Sequence, residues 1–234
     1  AAARAGVPRF DSANGAMMEA PAGAALAELT IRDGRRSSLF RAYAWPRMHQ
    51  PNLTVLTGAR VARVLFEGTH ATGVEAIVDG RPVRFAAAQE VILSLGALHT
   101  PKVLMQSGVG PADELRGHGV AVVQDLPGVG LNHQDHIAFG CTWEYRRPQQ
   151  VGGSGCEAVV YARSDAALEA PDLLQCQLEF AVPSPEGTPP PEHGWTMFAG
   201  LAQPKSRGRV RLSGPDPDDR ILVEPNTLGA PEDL

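Results

Sequence analysis

The sequence predicts a mixed α/β (α+β) fold in which a β-meander and a strand-turn-helix unit precede a largely antiparallel sheet. Three observations carry this. Residues 52–64, 74–78 and 81–85 are β-branched and alternate apolar with polar, and Asp79-Gly80 between the last two is a hairpin turn signal. The short apolar run Glu90-Val-Ile-Leu-Ser94, bounded by Gly96, reads as a strand buried on both faces of a mainly parallel sheet. After Ile137, period-two alternation recurs at 139–145, 157–162, 173–180, 195–202, 209–212 and 221–223, which reads as one antiparallel sheet.

Taken in order, residues 1–35 carry Gly, Pro, Asn and Ala with little periodicity, so an extended, irregular segment is expected. A short helix follows: Ser37 or Ser38 caps it, Leu39, Phe40 and Tyr43 give its apolar spacing, and Pro46 stops it. After the meander and the 90–94 strand, a helix is predicted from Thr100 or Pro101 to Ser107, because Thr and Pro suit a first turn and Gly108 suits the end. A second helix covers 112–118, a strand 120–123, and Leu126-Pro-Gly-Val-Gly130 is a turn. The prolines of 183–191 mark a surface loop. There is no internal repeat.

At 234 residues with 43% hydrophobic content, the chain is long enough to bury the core of one large domain or two small ones. The net charge is -5 and no lysine or arginine run occurs, which argues against nucleic acid or an anionic membrane as a partner. The longest apolar stretches, 91–95 and 20–27, fall far short of the roughly 20 residues of a membrane span. Residues 1–9 lack the charged start and apolar block of a secretory leader. Cys141, Cys156 and Cys176 are odd in number and widely spaced, which fits neither a disulfide framework nor a zinc site, and they read as buried small hydrophobes. His133 and His136 lack a second ligand pair, so no metal is expected.

Ser94-Leu-Gly-Ala-Leu-His-Thr-Pro-Lys-Val-Leu-Met-Gln-Ser-Gly-Val-Gly110 resembles a signature of the glucose-methanol-choline oxidoreductases, with Gly96-Ala97, Thr100-Pro101, Val103-Leu104 and Ser107-Gly108-Val109-Gly110 in its constrained positions. Leu126-Pro-Gly-Val-Gly-Leu-Asn-His-Gln-Asp-His136 resembles the turn that follows it in that family, with His133 where leucine is common. Residues 204–213 and 216–226 are similar to the segment that closes the family's substrate sheet, and weaker likenesses at 33–37 and 51–53 fall in the same order.

The resemblance implies part of a Rossmann-like FAD-binding domain over 52–136, preceded by an extended segment and short helix over 1–51, and a substrate-binding domain over 137–234. It implies FAD as cofactor, with Val61 at the family's adenine-binding backbone position and Ser94, Gly96, Ala97 and Asn132 as further cofactor-binding positions. The strand-turn-helix reading agrees, since a helix start offers free N–H groups and a dipole to a dinucleotide. Gly96 and Gly108 also have a plainer reading as a tight turn and a helix cap, and Val61 as a core valine. Glu157 matches a position where choline-oxidising relatives set a glutamate towards a substrate cation, with Trp143, Tyr161 or Trp195 as aromatic helpers. A surface or hydrogen-bonded glutamate is the alternative. Asp135-His136 is read as part of a turn, not as an acid-base pair.

No G-x-G-x-x-G motif lies between a strand and a helix here, and the family's catalytic histidine matches no position in this chain. The chain is therefore expected to be the central portion of a longer alcohol oxidoreductase, with a small alcohol and the enzyme's own remaining segments as partners, and inactive alone. A flavin-containing lyase of the same family and a non-catalytic binding module are the alternatives. No G-x-S-x-G elbow supports a hydrolase.

Overall fold

The computed structural model describes residues 2–152, 154–184 and 186–234. The chain divides into two compact units, one of residues 1–50 and 136–204, the other of residues 51–135 and 205–234. The sequence reading placed 205–234 with the antiparallel sheet of 137–204. The strands Gly208–Leu212 and Ile221–Glu224 instead pair with each other, and Gly208–Leu212 also pairs with Leu131–His133, as a sheet of the second unit.

Among the described residues, the first unit holds a five-stranded antiparallel sheet in the order Ala22–Leu26, Ala158–Ala162, Leu173–Leu178, Gly194–Leu201, Ile137–Glu144. Four of these strands are the runs of alternating residues after Ile137. The fifth, Ala22–Leu26, corrects the expectation of irregular chain over 1–35. Its small residues carry no alternation signal, yet a side chain at Gly23 would collide with Met17 and Phe10. Packing by the short helix Ala16–Glu19, whose Met17 is fully buried, selects the small residues here. The hairpin of Ile31–Arg32 and Arg35–Arg36 turns at Asp33-Gly34, both at positive φ. The helical segment near 40 is a π-turn, Phe40–Ala44, running into the 3-10 turn Trp45–Arg47, and Ser38 Oγ accepts the Arg41 N–H at 3.2 Å. Pro46 does not stop it but sits in the first turn of the 3-10 segment, where its missing N–H costs nothing.

The second unit opens with the predicted meander, Ala59–Glu67, His70–Val78 and Arg81–Ala86, whose last turn has Asp79 and Gly80 at positive φ. Residues 53–58 stay outside the first strand. The helix Gly96–Gln106 packs on the strand Ala59–Glu67 and on Gly208–Leu212. It begins four residues earlier than expected, so Pro101 lies inside it. Its buried Lys102 is satisfied by the carbonyls of Pro217 (2.8 Å) and Asp219 (2.6 Å), and Gln106 donates to the Asp216 carbonyl. The helix thus fastens the 213–220 turn, as buried polar groups must find partners. Met105, Leu115 and Leu212 form the core beneath, with Val120, Val122 and Val129 against them. Gly130, at φ +87, gives up its side chain because the Val210 carbonyl occupies that space.

Two predicted strands are corrected. Residues 90–94 form no ladder among the described residues and are not buried: Ile92 is 75% exposed. A doubly buried strand needs a neighbour on each side, and none of the described strands pairs with this run. Residues 120–123 are also outside any strand. The parallel pairing here is Val109–Gly110 with Gln124–Asp125, just beyond them. No described helix is long and apolar enough to cross a membrane.

Candidate functional site

The entry to the helix Gly96–Gln106 has the shape that its glycine demands. Gly96 stands at φ +83 with open space where a side chain would be, and Ser94, Gly96 and Ala97 are all exposed. The Leu95 N–H is taken by Thr100 Oγ1 at 3.1 Å, and the helix of 11 residues starts directly after. The first N–H groups of a helix have no intrahelical partner, and its dipole favours negative charge at that end. The signature is therefore an exposed main-chain donor cluster.

Val61 is half-buried in the strand Ala59–Glu67, which lies at the edge of its sheet. Val61 pairs with Ala76 but Arg63 pairs with Glu75, so Ala62 is an extra residue and the ladder breaks beside Val61. A bulge leaves a residue unpaired and re-aims its neighbours. Helix packing covers the next outward donor: the Val64 N–H bonds Ser107 Oγ at 2.9 Å, and both residues are buried.

Asn132 is exposed and stands at φ +62 in the strand Leu131–His133. It borders a hollow of about 530 Å³ with Leu131, Arg207, Gly208, Arg209, Glu224 and Asn226, a lining that does not include Val61, Ser94, Gly96 or Ala97. Hydrogen bonding from Arg209, aided by the charges of Arg209 and Arg211, holds the Glu224 carboxyl below its ordinary range against a smaller effect of burial. The neighbouring His133 has its Nδ1 buried with no partner among the described residues. Asp135 and His136 are both exposed.

Glu157 is half-buried immediately before the strand Ala158–Ala162. Its Oε1 accepts the Ser154 N–H at 3.3 Å, while Glu179 Oε2 accepts the Gly152 N–H at 2.7 Å. Two carboxylates thus converge on one loop. Glu179 is not among the residues that the sequence singles out, although the register of Ala158 with Gln177 places the end of one strand beside the start of the other. The aromatic helpers separate. Trp143 and Trp195 are cross-strand partners stacked at 4.6 Å, with Tyr145 at 6.5 Å from Trp195. Strand alternation puts Tyr161 on the opposite face of that sheet, in register with Leu174 and Gly23. Thr142 and Thr196 share that opposite face and bond each other at 2.9 Å, and the loop after Leu178 folds on them through the Val182 N–H and the carbonyls of Val182 and Phe180.

The cysteines correct the reading of buried small hydrophobes: Cys141 is exposed, and Cys156 and Cys176 are only partly buried. Cys141 lies on the edge strand Ile137–Glu144, Cys156 stands two residues before the strand Ala158–Ala162, and Cys176 lies within the strand Leu173–Leu178. Among the described residues no group of three or more His, Cys, Asp or Glu side chains could hold a metal ion.

The five cofactor candidates all fall in the second unit; Ser94, Gly96, Ala97 and Asn132 are exposed and Val61 is half-buried. Gly96 and Asn132 hold positive φ, and the ladder is broken at Val61. An exposed helix start with open space at Gly96 fits a nucleotide's phosphates, which need main-chain donors rather than a particular side chain.

The family described as GMC oxidoreductase matches residues 1–138. An oxygen-dependent choline dehydrogenase of Stenotrophomonas maltophilia (strain K279a) is 33% identical, over 100% of this chain and 46% of the relative. An alcohol dehydrogenase [acceptor] of Pseudomonas putida is 36% identical, over 94% of this chain and 44% of its own length. The crystal structure of pyridoxine 4-oxidase from Mesorbium loti superposes with a TM-score of 0.87 at 34% identity, covering 99% of this chain and 46% of that one. The chain spans less than half the length of each of these three proteins.

Proposed function

Since the chain belongs to the GMC oxidoreductase family, we propose that it serves the FAD-dependent oxidation of an alcohol to an aldehyde or ketone. The observation that carries this reading is the match along nearly the whole chain to relatives named for acting on alcohols, choline and pyridoxine, each of which bears a CH–OH group. Bound FAD would supply the hydride acceptor. The residues assigned to it are Val61, through the main chain freed beside its bulge, Ser94, Gly96 and Ala97 at the helix start, and Asn132. Oriented N–H groups at the helix start would neutralise the phosphates and fix the cofactor, since alignment of donor and acceptor is the protein's part of hydride transfer.

Glu157 is assigned to the substrate side, as a carboxylate that favours a cationic alcohol such as choline. The nearness of Glu179 supports this, because two carboxylates around Gly152 raise the negative potential there. The relatives exceed this chain by more than half of their own length, and the proton acceptor and a glycine-rich phosphate turn are assigned to such further segments, as its partners.

The test is an FAD titration of the chain followed by absorbance and thermal stability, alone and grafted in place of the matched stretch of the Pseudomonas putida alcohol dehydrogenase. A ligand of the folded state raises apparent stability. The expected result is weak or absent binding by the chain alone, and in the chimera a flavin that bleaches without oxygen when alcohol is added. A chimera that keeps FAD oxidised in the presence of alcohol and cleaves a cyanohydrin would establish the lyase reading instead. FAD bound tightly by the chain alone would refute its dependence on further segments.

A further inference from the structure

Of the asparagines Asn14, Asn52, Asn132 and Asn226, Asn14 alone precedes a glycine. Asn14 and Gly15 are both exposed, in the bend that enters the short helix Ala16–Glu19. Gly15 stands at φ +67, a backbone that glycine adopts without strain, and nothing lies within 4 Å of where its side chain would be. Its carbonyl accepts the Met18 N–H at 2.8 Å, but its own N–H has no hydrogen-bond partner among the described residues. Around it the chain is tied down. Ser12 Oγ accepts the Asn14 main-chain N–H at 3.0 Å, and the Ser12 hydroxyl donates to Glu28 Oε1 at 2.6 Å. The side-chain amide of Asn14 donates to the other oxygen, Glu28 Oε2. One exposed carboxylate thus clamps residues 12–14 to the chain just past the strand Ala22–Leu26.

We propose that Asn14 is a site of spontaneous deamidation through a succinimide formed with Gly15, and that Glu28 restrains it. The Gly15 nitrogen attacks Asn14 Cγ: the new C–N bond closes a five-membered ring, the Cγ–Nδ2 bond breaks, and the Gly15 amide proton leaves with the NH2 group as ammonia. Water then opens the ring. Attack at Cγ restores the ordinary main chain and leaves aspartate, and attack at the main-chain carbonyl leaves isoaspartate. One water is consumed and one ammonia is released, so no oxidant or reductant is needed. The reaction is favoured here because the attacking nitrogen is held one residue away, carries no competing hydrogen bond, and lacks a neighbouring side chain to crowd its approach. Glu28 opposes it, since the leaving nitrogen must first give up its bond to that carboxylate. Either product sets a carboxylate where the amide stood, so a donor is lost and two like charges face each other. The clamp on residues 12–14 then opens. This inference stands on the 12–28 contacts and not on the alcohol-oxidising reading.

The experiment incubates the purified chain at neutral and at mildly alkaline pH, digests it with trypsin and compares it by mass spectrometry with a sample digested at once. Asn14 is the only side-chain amide of the tryptic peptide 10–32. The expected result is a mass gain of NH2 replaced by OH in that peptide, growing with time and with alkali, and divided between aspartate and isoaspartate forms that separate by chromatography. Gly15→Ala should lose most of the gain, Asn14→Gln should show none in step with it, and Glu28→Ala should convert faster than the parent. A peptide 10–32 of unchanged mass after an incubation that converts the same peptide free in solution would overturn the site. Conversion in Glu28→Ala no faster than in the parent would overturn the restraint.

Discussion

The hydrogen bond from the Val64 N–H to Ser107 Oγ gives a sharp test of how the second unit holds together. The strand Ala59–Glu67 is at the edge of its sheet, so its outward N–H groups have no strand to bond. Val64 is 5% exposed and Ser107 8%, which keeps water from replacing the hydroxyl. Ser107→Ala removes that acceptor while keeping the helix, because the Val103 carbonyl still receives the Ser107 N–H at 3.0 Å. The cost is that of leaving one buried amide unpaired, about 1–3 kcal/mol. Native-state hydrogen exchange at Val64 reads it directly, with an expected acceleration of roughly 5- to 150-fold. Urea unfolding followed by far-UV circular dichroism should move to lower midpoint in step. Tryptophan fluorescence is the wrong probe, since Trp45, Trp143 and Trp195 all belong to the other unit. Exchange at Val64 unchanged within twofold in Ser107→Ala would refute the bridge.

Two further outcomes are expected. Gly119→Ala, at φ +71 in open space, should cost only the left-handed backbone strain of about 1–2 kcal/mol, whereas Gly130→Ala adds a collision with the Val210 carbonyl and should unfold at clearly lower urea; equal midpoints would show that the strands are not in close approach. Asp233 is held below its ordinary range, chiefly by the Ser206 hydroxyl and then by the N–H groups of Lys205 and Ser206. A carboxylate lowered in the folded state stabilises above its unfolded value and loses that contribution as pH falls through the folded one. Urea midpoints should therefore stay level down to about pH 4 and drop below it, and Asp233→Asn should flatten that drop; an Asn variant with the same acid slope as the parent would contradict the assignment.

The elements that were legible in the sequence are those whose own residues decide them. The strands Ile137–Glu144, Ala158–Ala162, Leu173–Leu178 and Gly194–Leu201 carry period-two alternation in their own residues, and the ladders form where that alternation runs. Asp79-Gly80 fixed its hairpin by backbone preference alone. Where distant packing decides, the signal fails. Ala22–Leu26 is a strand because Met17 and Phe10 leave room only for small residues at Gly23, and nothing in an alanine-rich run announces that. Residues 90–94 have the composition of a buried strand, but a run becomes a strand only when neighbours pair with it, and Ile92 lies exposed instead. The strands near 210 and 222 were read correctly and assigned to the wrong sheet, because alternation says nothing about partners.

The candidate site divides along the same line. Gly96 could be found because a glycine just ahead of a helix announces the left-handed backbone it supplies, and it stands at φ +83. The bulge beside Val61 could not, since valine does not encode it, and the positive φ of Asn132 is one that asparagine tolerates but does not require. The two carboxylates on the 152–157 loop show a third case: Glu157 was visible as the residue opening a strand, while Glu179 joins it only through the antiparallel register that brings strand end to strand start. Main-chain donors at a bend and carboxylates brought together by the pairing of two strands therefore leave unequal traces. The first depends on where the chain bends, and bends are written in glycine only when no other residue tolerates them. The second depends on register, which a single strand's sequence does not contain.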